Sequence, residues 1–77
     1  MKINVLFFGN LAELAQKTEI EIEGIVSTTE LLAYIEFHYP RLMNSKFAIA
    51  VNKKISGQEV EFHDGDVVAF IPPFSGG

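Results

Sequence analysis

The sequence contains no cysteine, so no disulfide can staple the fold, and thiolate metal sites and a cysteine nucleophile are excluded. Basic residues are scarce: six Lys and Arg stand against ten Asp and Glu, for a net charge of -4. A protein that tracks nucleic-acid phosphates needs a basic stripe, and this composition does not supply one. No apolar run approaches the roughly 20 residues needed to cross a bilayer. Met1-Lys2 leads straight into an alternating segment, without a charged region followed by a long apolar one, so no signal peptide is expected. A cytoplasmic location follows by default. There is no internal repeat, linker or low-complexity tract. No Ser-His-Asp set, phosphate loop or metal-ligand spacing occurs either, so neither a metal nor a bound cofactor is expected.

What is present is a core. Hydrophobic residues make up 48% of the 77, and seven are Phe. That is ample for one small domain, although a chain of this size buries only roughly 60% of its unfolded surface.

The hydrophobic pattern changes period along the chain. From Lys2 to Phe8, Ile3, Val5 and Phe7 share one face of a strand, while Leu6 and Phe8 follow Lys2 and Asn4 on the other. Gly9-Asn10 breaks it, and Leu11 to Gln16 forms a short helical turn with Leu11, Leu14 and Ala15 on one side. Thr18 to Glu23 alternates again, with Ile20 and Ile22 inward and Glu19, Glu21 and Glu23 outward. The short gap makes these two strands an antiparallel pair with an elaborated connection.

Ser27-Thr28-Thr29-Glu30 is a capping box, with the Ser27 hydroxyl accepting from the Glu30 amide and the Glu30 carboxylate from the Ser27 amide. A helix follows to about His38. Leu31, Leu32, Ile35 and either Tyr34 or Phe37 face the core. Pro40 stops it. Lys46 to Val51 is a strand, Asn52-Lys53 a turn and Lys54-Ile55 a short edge strand. His63-Asp64-Gly65-Asp66 is a turn. Val67 to Ile71 closes the fold as a strand apolar on both faces, the pattern of a central strand covered on both sides, with Phe70 in the core.

The order is strand, strand, helix, strand, short strand, strand. It predicts an α+β domain of the ubiquitin-like β-grasp type over residues 1–71, with a mixed sheet of four to five strands and one main helix. Residues 72–77 form a flexible C-terminal tail.

That tail carries the functional signal. Pro72-Pro73-Phe74-Ser75 leads to Gly76-Gly77. The prolines favour an extended exit, and the glycines, lacking Cβ, let a backbone thread a narrow passage. From Pro72 onward the tail reaches roughly 20 Å, at ~3.3 Å per residue. The expected reactive atom is the carboxyl carbon of Gly77, and the protein reads as a carrier rather than an enzyme in its own right. Leu6, Phe8 and Ile71 are candidates for an apolar docking patch beside the last strand. His38 and His63 read as solvated surface residues. Asp64 and Asp66 read as turn residues, and the Glu19, Glu21, Glu23 row as a solvated strand face.

Val5-Leu6-Phe7-Phe8, Ala50-Val51-Asn52 and above all Asp64-Gly65-Asp66-Val67-Val68-Ala69-Phe70-Ile71-Pro72-Pro73-Phe74-Ser75-Gly76-Gly77 resemble the sulfur-carrier (MoaD/ThiS) family. That family holds the molybdopterin synthase small subunit and the thiamine-pathway sulfur carrier. Pro-Pro points to the molybdopterin branch. Two positions depart from the pattern: Ala12 stands where Arg is common, and Phe74 where Val is.

The resemblance implies a β-grasp fold and a sequence of partners. An E1-like enzyme spends ATP to adenylate the Gly77 carboxylate, and sulfur replaces the AMP to give a thiocarboxylate. The tail then enters the large synthase subunit, in a heterotetramer of two small and two large subunits. There two tails deliver two sulfurs to cyclic pyranopterin monophosphate in molybdenum cofactor biosynthesis. A carrier for thiamine thiazole or another sulfur metabolite, and a ubiquitin-like protein modifier, use the same terminus differently.

Overall fold

The computed structural model describes residues 1–73; the expectations for Phe74, Ser75, Gly76 and Gly77 lie outside the described residues. Within that range the elements run β1 (Lys2–Phe7), α1 (Asn10–Ala15), β2 (Glu19–Glu23), α2 (Thr28–His38), α3 (Pro40–Met43), β3 (Ala48–Val51), β4 (Lys54–Ile55) and β5 (Val67–Ile71).

Among the described residues the five strands form one mixed sheet in the order β2-β1-β5-β3-β4. β1 and β2 are antiparallel, pairing Ile3 with Ile22 and Val5 with Ile20. The last strand lies in the middle. β5 runs parallel to β1, with Val5 beside Val68 and Phe7 beside Phe70, and antiparallel to β3. Asn52 (φ 51) and Lys53 (φ 74) are both left-handed and make the two-residue turn from β3 into β4.

Helices cover one face of the sheet. Ile3, Val5, Phe7, Ile22, Val68 and Phe70 project from the strands into a core shared with Leu11 of α1, Leu31 and Ile35 of α2, Leu42 of α3 and Phe62. Phe70 is fully buried, and its ring packs against Phe47 at 5.1 Å and Phe7 at 5.7 Å. Phe7 in turn meets Tyr39 at 5.7 Å.

Ser27 caps α2 as its residue type dictates: extended at φ −154, it accepts from the Glu30 amide at 3.3 Å. The return half of the expected box is shifted by one residue, because Glu30 Oε1 accepts from the Val26 amide at 3.2 Å instead of that of Ser27. Thr28 is the one buried polar side chain among the described residues. Its hydroxyl accepts from the Val60 amide at 2.9 Å and lies 3.3 Å from the Val60 carbonyl, to which it donates. The start of α2 is thus tied to the segment leading into the final turn.

Two further expectations need correction, and the choice between Tyr34 and Phe37 is settled. Pro40 ends α2 but also opens α3, since the first helical position needs no backbone N–H and suits proline's fixed φ. β3 begins at Ala48 rather than Lys46, because its ladder with β5 begins only where Ala48 meets Ile71. Phe37 does not face the core. It is 81% exposed, and Tyr34 is half-buried on the inner side of α2.

Candidate functional site

Side chains alternate across the sheet, so β5 presents Val68 and Phe70 to the core and Val67, Ala69 and Ile71 to the other face. The sequence suggests cover on both sides of this strand. Among the described residues no element covers the second side. The apolar residues there are left open rather than covered by a second core layer.

The open face is a groove of about 370 Å³ lined by Leu6, Phe8, Ala50, Lys53, Ile55, Val67, Ala69 and Ile71. Its shape follows from residue size and register. Ala69 lies between Leu6 on β1 and Ala50 on β3, and Ala50 is paired with Ile55 on β4. Two adjacent alanines make a low floor on the central strands. Leu6 and Phe8 rise on one side of it, and Ile55 on the other. Phe8 is 47% exposed and Ile55 72% exposed, which leaves both available for contact. Leu6, Phe8 and Ile71 therefore come together on one surface, as the alternation requires. Ala50, Lys53, Ile55, Val67 and Ala69 escape sequence reasoning, because alanine reads as filler and β4 is only two residues long. The parity of Ala69 with Ile71 carries the signal that identifies the floor.

The groove continues toward the tail. β5 ends at Ile71, and the Phe8 amide donates to the Phe70 carbonyl at 3.1 Å as β1 runs out alongside it. Pro72 has no N–H to extend a ladder. It packs over Gly9, whose φ is 57; a Cβ built on Gly9 would lie 2.9 Å from Pro72 Cγ. Glycine here satisfies a left-handed backbone and a close approach at once. Pro72 is half-buried and Pro73 exposed, so the chain leaves the sheet at the Phe8 end of the groove.

The opposite end of β5 is pinned by Asn52 and Asp66. The Asn52 amide donates to the Val67 carbonyl at 2.8 Å, and Asn52 Oδ1 accepts from the Val67 amide at 3.0 Å. Asn52 Nδ2 also donates to Asp66 Oδ1 at 3.0 Å, and Asp66 Oδ2 accepts from the His63 amide at 2.8 Å. The Asn52 hydrogen bond, then that from the His63 amide, hold the Asp66 carboxyl below its ordinary value of 3.8. Asp64 accepts from the Lys2 amide at 2.7 Å. The turn reading of Asp64 and Asp66 thus holds, with the addition that their carboxylates lock β5 to β1 and β3. His63 is exposed, as is His38.

Among the described residues no group of three or more His, Cys, Asp or Glu could hold a metal, and no helix is long and apolar enough to cross a membrane. The geometry is that of a five-stranded sheet with an open apolar face, whose central strand β5 leads out through Pro72 and Pro73.

Residues 5–77 match the ThiS family. The chain belongs to that family. A Mycobacterium tuberculosis protein named molybdopterin synthase sulfur carrier subunit is 35% identical over 82 residues, covering 100% of this chain and 99% of its own. A complex of subunits 1 and 2 of molybdopterin-converting factor from Helicobacter pylori contains a similar chain. Its TM-score is 0.78 at 26% identity, with 100% of both chains covered. Small archaeal modifier protein 1 from Methanosarcina acetivorans is also similar, with a TM-score of 0.80 at 25% identity over 99% of this chain and 96% of that one. The ubiquitin-like β-grasp architecture of this ThiS-family chain is that of these neighbours.

Proposed function

We propose that this ThiS-family chain is the sulfur carrier subunit of a molybdopterin synthase, with the Gly77 carboxyl as the group that carries sulfur. One observation carries the reading: similarity to a named sulfur carrier subunit extends over essentially both whole chains, Gly-Gly terminus included. The open face beside the tail's exit supports it, since a carrier must dock before it delivers.

The chemistry requires activation by a partner. A terminal carboxylate has a pKa of about 3.3–3.7, so at pH 7 it is an anion and a poor electrophile. In the proposed cycle an E1-like enzyme lets a Gly77 oxygen attack the α-phosphorus of ATP, releasing pyrophosphate. A sulfur nucleophile then attacks the Gly77 carbonyl carbon and expels AMP, leaving a thiocarboxylate. Because this step consumes ATP, the proposed site of action is the cytoplasm. The acceptor is cyclic pyranopterin monophosphate, held by the large subunit in an assembly of two small and two large chains.

Pro72, Pro73, Phe74, Ser75 and Gly76 are the arm that threads the partner. Leu6, Phe8 and Ile71 belong to the surface that docks it. This subunit supplies the sulfur and the large subunit the catalytic groups.

Intact mass after incubation with activating enzyme, ATP and a sulfur donor tests the proposal. One oxygen replaced by sulfur, an increase of about 16 Da, is the expected result. An unchanged mass with an activating enzyme proven on another carrier would refute it. The similarity to an archaeal modifier protein favours a second reading, in which Gly77 is joined to lysine amines. Denaturing gels of cell extracts distinguish the two, because only the modifier leaves covalent ladders.

A further inference from the structure

The open face of the sheet is not symmetric in charge about the groove, and that asymmetry specifies the surface that fits it. One register row crosses the whole sheet: Glu19 on β2, Leu6 on β1, Ala69 on β5, Ala50 on β3 and Ile55 on β4. Four inter-strand spacings of about 4.8 Å make this row roughly 19 Å long. Its β2 end carries an exposed carboxylate, Glu19. Next to its β4 end stands Lys53, which lines the groove.

The neighbouring acids are engaged, with Glu21 3.8 Å from Lys2 Nζ and Glu23 3.9 Å from the N-terminal amine. Among the described residues Glu19 and Lys53 have no ion-pair partner within 4.0 Å. Lys54 pairs with Val51, whose side of the sheet is the core side, so the lysine of the groove is Lys53 alone.

We propose that the groove receives an apolar anchor of the large synthase subunit, an aromatic or long aliphatic side chain seated over Ala50 and Ala69. A basic group of that subunit faces Glu19, and an acidic group faces Lys53. The two charges then do what the apolar floor cannot. An alanine floor tolerates the anchor in either orientation across the sheet, whereas opposite charges at the two flanks admit one and repel its reverse. The allowed orientation also decides where the tail goes, because Pro72 leaves from the Phe8 end of the same groove. This inference rests on the molybdopterin synthase reading.

Titration calorimetry of this chain against the large subunit of molybdopterin synthase from the same organism tests it, at low and at high salt. Ala69→Leu raises the floor and is expected to weaken binding by about tenfold or more. Glu19→Lys and Lys53→Glu are each expected to weaken it roughly three- to tenfold at low salt and to approach wild type at high salt. Glu36→Lys on α2 and Lys54→Glu on the core side of β4 change net charge equally and serve as controls with near wild-type affinity. None of the substituted side chains is buried, Lys54 included, and circular dichroism verifies that each variant folds. Wild-type binding with the three groove variants unaffected, or with controls weakened as much, would overturn the polarity while leaving the carrier reading intact. No wild-type binding would overturn both.

Discussion

Phe70 makes two of the aromatic contacts of the core, with Phe7 and with Phe47, and its neighbour Ala69 faces the opposite way into the groove. One residue step along β5 thus separates the packed core from the open groove. Phe7, buried opposite Phe70 and against Tyr39, is expected to lose about 3–5 kcal/mol on Phe7→Ala, measured by urea denaturation. That is a large share of the stability of so small a domain. Asp66 gives a prediction with a pH sign. Its folded carboxyl titrates below the ordinary 3.8, so its contribution is complete above that value and is lost as pH falls through the folded one. Asp66→Asn should therefore be less stable than wild type at pH 7, and the gap should close as the buffer is taken below pH 3.8. A gap independent of pH would show that the charged hydrogen bonds from Asn52 and His63 are not its source.

At the scale of elements, the hairpin of β1 and β2, the capped α2, the Asn52-Lys53 turn and the inward Phe70 were legible because each rests on local pattern. Alternation places Ile3 with Ile22, and Ser27 with Glu30 marks a helix start wherever it occurs. α3 was not legible, because Pro40 serves as a stop for one helix and as the first residue of the next. The openness of β5 on one side was not legible either. A strand apolar on both faces looks the same in sequence whether or not a second layer covers it, and the topology shows that no described element does. Leu6, Phe8 and Ile71 could be read as a patch from parity, yet the alanine floor beneath them depends on pairings between strands distant in sequence. Gly9 reads in the sequence as a strand breaker, while the structure shows that it also admits Pro72. Gly9→Val places a branched side chain at a left-handed φ and against the proline ring. A loss of about 1–3 kcal/mol is expected, seen as a lower Tm. An unchanged Tm would mean that Pro72 moves away without penalty.

For the whole molecule, the core ends at Phe70 while the proposed chemistry lies at Gly77, and the two should be separable. Deleting Gly77, or adding a residue after it, is expected to abolish sulfur loading in the intact-mass assay and leave the circular dichroism spectrum and Tm of the domain unchanged. A destabilised variant would reveal a structural role for the tail.

The position of β5 has a consequence for how the chain is made. β2 with β1, and β4 with β3, are two separate pairs until Val67–Ile71 slides between them. A chain terminated before Val67 would have no strand to join its halves, and each half alone is too small to persist. Closure of the sheet therefore waits for the last of its five strands in chain order. A copy broken off short of β5 is expected not to close this sheet, and so not to present the groove that β5 floors.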